Sequence, residues 1–178
     1  MSGLIKRIAK IWRQEDGVAS IEFVFALPIL MAIFMASFES GLMMTRSIML
    51  EQSLDMVMRE LRLGHIPNAD AAVLKTEVCK RTVMFSDCNN ALMIELQKIS
   101  TTAWDMPTKA TTCVNRNLTV QPVTTLILGQ QNDLMLVRAC IVVDALFPTT
   151  GLGLDLTRTT NGGGYEIVAV SAFSNEPS

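Results

Sequence analysis

The sequence predicts an α+β protein: a long N-terminal helix, part transmembrane and part amphipathic, carries a small exported domain of short helices and an antiparallel sheet. Three observations lead there. Residues 23–44 read "FVFALPILMAIFMASFESGLMM", an apolar run about as long as a bilayer-spanning helix. Leucine and valine then recur at helical spacing as far as Leu61. Beyond Gly64 come a short helical pattern and several runs rich in β-branched residues. The chain has 178 residues, net charge −2 and 49% hydrophobic residues, which suits one modest globular domain plus a membrane element. So nearly balanced a charge gives no reason to expect nucleic acid as a partner.

Residues 1–17 carry Lys6, Arg7, Lys10 and Arg13 against Glu15 and Asp16, and no comparable basic cluster directly follows the apolar run. By the positive-inside tendency this leader stays in the cytoplasm and everything after the span is exported. A secretory signal peptide shares the general form, but the run is too long for a typical signal core and no clear A-x-A cleavage site follows it. Inside the span, Pro28 removes one helical hydrogen bond. Glu39, close to the outer end, is expected in the interfacial zone and exposed to water, with a polar contact to another subunit as the alternative. Met31, Met35, Met43 and Met44 are expected to face lipid or core rather than form a ligand set.

After the span, Leu50, Leu54, Val57 and Leu61 recur at intervals of four, three and four, with Glu51, Gln52, Asp55, Arg59 and Glu60 on the other faces. The helix therefore continues out of the lipid until Gly64 and Pro67, which suit a left-handed cap and a stop. Residues 18–63 form one helix of about 70 Å at ~1.5 Å per residue. His65 reads as an accessory of that helix end.

Residues 64–178 form the exported domain. "NADAAVLKTEVCKRTVMF" reads as a short helix capped by Asn68 or Asp70, whereas "NALMIELQKI" fits either a helix or a strand. "NLTVQPVTT", "DLMLVRACIVVDALF" and "GYEIVAVSAF" read as strands, from their β-branched content and from the alternation of Leu118 with Val120 and of Ile167, Ala169 and Ser171. The glycine-rich "TTNGGGY" before the last of them reads as a hairpin connection. A sheet packed on the long helix follows from the usual layering of such elements.

Cys79, Cys88, Cys113 and Cys140 all fall on the exported side, where an oxidising compartment allows two disulfides. Three pairings are open. Closeness in sequence across the turn-like "FSDC" favours Cys79 with Cys88, which leaves Cys113 with Cys140. No metal site is expected: there is no CxxC pair, and His65, the single histidine, has no spaced partner. No cofactor motif occurs either. An anchored exported enzyme would need a nucleophile with a base, or spaced carboxylates; one histidine at a helix end rules out acid–base triads, and Asp133, Asp144 and Asp155 are scattered without a recognisable spacing. "NLT" at Asn117 matches a glycosylation triplet.

One residue resists the plain-anchor reading. In "EDGVASIEFVFALP", Glu22 stands at the mouth of the apolar run, although a carboxylate deep in hydrocarbon costs roughly 2.5 to 3.5 kcal/mol. A helix N-terminus in the interfacial zone would ease that cost. The boundary "DG/VASIE" also resembles the cleavage site of type IV prepilins, in which a membrane peptidase cuts after glycine and leaves glutamate at the fifth mature position. Here that implies cleavage between Gly17 and Val18. The freed α-amine, with a reference pKa of about 8, would be cationic. Residue 22 lies one turn from residue 18 on the same helix face, so Glu22 can compensate the amine of its own chain or of a neighbouring subunit.

"GVASIEFVFALPILM" resembles the N-terminus of TadE-like proteins, the pseudopilins of tight-adherence (Tad, or Flp) pili, in which glutamate-phenylalanine and then leucine-proline recur at these spacings. The cysteine pair of "EVCKRTVMFSDC" and the ending "AVSAFSNEP" are similar to the exported part of such proteins, more loosely than the helix. Val18 departs from the phenylalanine start of better-known type IV pilins. The resemblance implies a minor pilin or assembly factor, not an enzyme and without cofactors. Its implied partners are prepilin peptidase, other Tad pilins or pseudopilins, an inner-membrane assembly platform and the membrane itself. An uncleaved single-pass binding protein of the envelope shares every feature except processing at Gly17.

Overall fold

A computed structural model describes residues 18–149, 151–156 and 162–175. Gly17 and the basic leader lie outside the described residues. Helix α1 (Val18–Arg62) is one continuous element of 45 residues, with Pro28 inside it. It ends where a left-handed residue is needed. Gly64 has φ +72°, the His65 amide donates to Glu60 O at 3.0 Å and the Gly64 amide to Leu61 O at 3.0 Å. That reciprocal pair satisfies carbonyls the helix would otherwise leave orphaned. His65 stays exposed at this end, with Nδ1 2.7 Å from Glu60 Oε2.

Helix α2 (Ala71–Arg81) is capped by Asp70, whose side chain accepts from the Val73 amide at 2.7 Å, and it buries Leu74 and Val78. A single turn, α3 (Cys88–Ala91), leads directly into β1 (Leu92–Ile99). The stretch that fitted either class thus divides between both. Its strand part is buried on both faces, which hides the alternation that would mark a half-exposed strand. Then follow β2 (Leu134–Val143), the short helix α4 (Gly151–Leu156) and β3 (Tyr165–Ser174). The sheet order is β1-β2-β3, antiparallel throughout, with Leu92 opposite Ile141 and Val143 opposite Tyr165.

Alternation sorts each strand between two faces. Met135, Val137, Ala139 and Ile141 of β2 join Leu92, Ile94 and Leu96 of β1 and Ile167 and Ala169 of β3 on the face that packs against Leu50, Leu54 and Val57 of α1 and Leu74 and Val78 of α2. On the opposite face Met93, Cys140 and Val142 are covered by Cys113 and Val114. The structure pairs Cys79 with Cys88 and Cys113 with Cys140. The first bridge ties the end of α2 to α3, and the second holds the 100–116 stretch against the middle strand. Beside it Arg138 donates to Glu95 Oε2 at 2.6 Å and to Lys109 O at 2.7 Å, and Glu95 Oε1 accepts from the Thr112 amide at 3.0 Å.

Two sequence expectations need correction. The "NLTVQPVTT" stretch forms no strand: its one ladder contact is a bridge just beyond it, Leu96 with Leu126. Pro122 cannot donate to a ladder, Gln121 spends its side chain on Asn115 and Leu118, and Val120 and Val123 point to solvent at 81% and 97% exposure. β-Branched content without a partner edge does not make a strand. The connection between β2 and β3 is not a tight hairpin either, because it contains α4. Gly162, Gly163 and Gly164 close this longer excursion, all at positive φ, and a side chain on Gly164 would strike Val143 O at 2.7 Å. Part of that connection lies outside the described residues.

The Glu95–Arg138 pair leaves only 9% and 13% of its side chains exposed, so losing one partner strands a buried charge. Glu95→Ala should destabilise the fold by about 3 to 5 kcal/mol, measured by guanidinium unfolding of the detergent-solubilised chain. At the far end of the sheet Asp133 is held below the usual carboxylate range, first by the hydrogen bond from Lys98 and then by that from the Gln130 amide. A carboxyl depressed in the folded state contributes stability above its unfolded pKa and loses it as pH falls through the folded one. The midpoint of unfolding should therefore drop on acidification below about pH 4, and less steeply in Asp133→Asn.

Candidate functional site: the long helix and its clasp

Residues 20–34 of α1 are exposed along their whole length among the described residues. Ile21, Phe23, Val24, Phe25, Ile29, Leu30, Ile33 and Phe34 are all largely exposed, Phe25 at 71%. Apolar groups on every side of a helix are tolerable only against lipid or other protein. The Ser37 hydroxyl near the end of this section is satisfied within the helix, as a low-dielectric setting demands, donating to Ile33 O at 2.8 Å. Glu22 is exposed on this bare section, one turn from Val18, which opens the helix. Among the described residues one helix is long and apolar enough to cross a membrane, Ser20–Arg62.

The upper half begins abruptly at Glu39. The expectation of a water-exposed carboxylate is overturned: Glu39 is only 1% exposed. Its Oε2 accepts from the backbone amides of Leu146 at 2.9 Å and Phe147 at 3.0 Å, while Oε1 has no hydrogen-bond partner among the described residues. Two turns on, Arg46 donates to Asp144 O at 3.0 Å and Tyr165 Oη at 2.7 Å. Phe38 meets Phe147 edge to face at 6.5 Å between ring centres. Glu39, Met43, Arg46, Leu50, Leu54, Val57 and Leu61 follow intervals of four and three, so the stripe read from Leu50 onward starts eleven residues earlier. Its first turns are polar clasps rather than leucines, which is why hydrophobic periodicity misses them.

Two of the three scattered aspartates carry structural duties. Asp133 pairs with Lys98 at 2.6 Å, and Asp144 accepts from Arg116. Cys113, Cys140 and Glu166 lie close enough to suggest metal ligands, but both sulfurs are spent in the disulfide and offer no thiolate.

A single-span α+β protein with a bare apolar stem beneath a clasped sheet domain is the class these features define. Residues 17–59 match the family model described as TadE-like protein; the match begins at Gly17 and covers the whole bare stem and most of the buried stripe. The match spans about a quarter of the chain, so over its N-terminal helix the chain is similar to TadE-like proteins. Comparisons with curated proteins and with solved structures gave no match.

The clasp makes a measurable claim. Glu39→Ala orphans two backbone donors and should cost about 1 to 3 kcal/mol, with faster hydrogen exchange at the Leu146 and Phe147 amides. Glu39→Gln keeps an acceptor oxygen and should stay close to the parent.

Proposed function

We propose that the chain is a TadE-like pseudopilin, a minor pilin or assembly factor for Tad/Flp pilus biogenesis and adhesion, matured by prepilin peptidase between Gly17 and Val18. The observation that carries this reading is the family match over residues 17–59, which begins at the glycine five positions before Glu22 and covers the bare stem. Mature subunits wait in the inner membrane, N-terminus inward by the basic leader, with the domain of residues 64–178 in the periplasm around the upper half of α1. Two disulfides suit that oxidising compartment. Function is assembly rather than catalysis. The platform lifts the stem from lipid into a bundle of like stems, where apolar flanks pack and each Glu22 meets the new amine of its own or a neighbouring chain. Other Tad pilins or pseudopilins are therefore its partners, alongside the peptidase.

Intact mass of the membrane-extracted protein should show loss of residues 1–17 in cells with the cognate peptidase and the full chain in cells without it. Glu22→Ala should be trimmed normally yet co-assemble poorly; wild-type piliation in that variant would remove the amine-pairing mechanism. Full-length protein in both strains would leave an uncleaved, membrane-anchored binding protein of the envelope.

A further inference from the structure

The stem stops being bare at Glu39, and the β2–β3 connection meets it there. Gly153 of α4 lies so close to this connection that a Cβ would sit 2.1 Å from Phe147 O, which pins α4 against Ala145 and Phe147. Phe147 is in turn fixed by Glu39 and Phe38. A segment pinned at three points nonetheless leaves Leu146 and Leu154 about half exposed, at 49% and 47%, with the exposed ring of Phe38 against neighbouring Phe147. Buried stability does not explain them.

We infer that residues 146–149 and helix α4 (Gly151–Leu156) form a membrane-seating foot, with Leu146 and Leu154 set into the boundary between headgroups and acyl chains. The inference rests on the single-span reading above. Three observations favour a lipid surface as occupant. The apolar residues of the foot run directly on from the bare stem through the Phe38–Phe147 contact. The stretch from Ile21 to Phe38, exposed except at half-buried Met35 and Ala36, is about 27 Å long at ~1.5 Å per residue, close to a hydrocarbon core of about 30 Å, so the outer boundary falls at the foot. Asp144 and Asp155 belong to the same base and are exposed; they are compatible with headgroups and not with acyl chains, which limits the foot to shallow insertion. On this account hydrocarbon ends near Phe38, and residues 39–44 of the expected span lie within the domain's base.

The test uses the full chain with Trp12→Phe and Trp104→Phe, reconstituted at high lipid-to-protein ratio in phosphatidylcholine vesicles brominated at chosen acyl depths. A single tryptophan is introduced as Leu154→Trp, Leu146→Trp or Phe34→Trp, with near-UV circular dichroism of the parent as the folding control. The foot variants should lose about half their emission to bromines near the top of the chain and little to deep ones, whereas Phe34→Trp, about 6 Å further in at ~1.5 Å per residue, should respond most to bromines lower down the chain. Adding Glu39→Ala should weaken quenching at position 154 and leave position 34 unchanged. If both foot variants are unquenched while Phe34→Trp is quenched, the foot is overturned and the span stands. Blue-shifted but unquenched foot variants, covered by another copy of the chain, overturn it equally. If no position is quenched, the span reading and the foot fall together.

Discussion

Glu39 sits on a helix that is otherwise apolar for most of the preceding two dozen residues, and it turns a polar cost into an attachment. Its Oε2 takes two backbone donors from a segment more than a hundred residues away. A carboxyl in this position without such donors would be a liability. With them it defines the level at which the helix stops meeting its surroundings and starts meeting its own domain. Arg46 repeats the device two turns higher, with Tyr165 and the Asp144 carbonyl as acceptors. Only above those two polar contacts do Leu50, Leu54 and Val57 take over, all fully buried. The order is physically sensible. Directional contacts set rotation and height, and non-directional burial then supplies most of the stabilisation.

One helix therefore serves two solvents. Its lower half carries the residues a bilayer or a bundle of neighbours requires, and its upper half is a core element of an α+β domain. Nothing in local propensity marks the change, because both halves are equally helical. The change lies in which face is polar. Below Glu39 no face is polar apart from Glu22 and serine hydroxyls. Above it Glu51, Asp55 and Arg59 alternate with the buried stripe. The function proposed above needs this division, since the stem would exchange one apolar environment for another while the domain stays folded.

The features legible in sequence were those that depend on near neighbours. The helix, its leucine stripe, the Gly64 stop and the Asp70 cap all arise from residues within a turn or two, and β2 and β3 carry enough β-branched residues to declare themselves. Features that depend on distant partners were not legible. Val120 and Val123 look like strand residues, yet no free edge reaches them, and β1 is ambiguous because both its faces are covered. Glu39 was misread for the same reason: its donors lie far along the chain, and only the folded topology brings them to it. Gly17 lies outside the described residues, and Glu22 stands exposed on the stem, a position that local spacing is enough to give.

Both cystines lie wholly within the domain, and α1 contains no cysteine. The helix is joined covalently to the rest only through the Gly64 turn, at its top, while the Glu39 and Arg46 clasps are at the opposite end of the shared interface. Tension along the stem is thus delivered to the far pole of the domain and doubles back, loading the helix–sheet contact in shear rather than peeling it one contact at a time. A subunit pulled lengthwise in a fibre would resist sliding across its whole buried stripe at once.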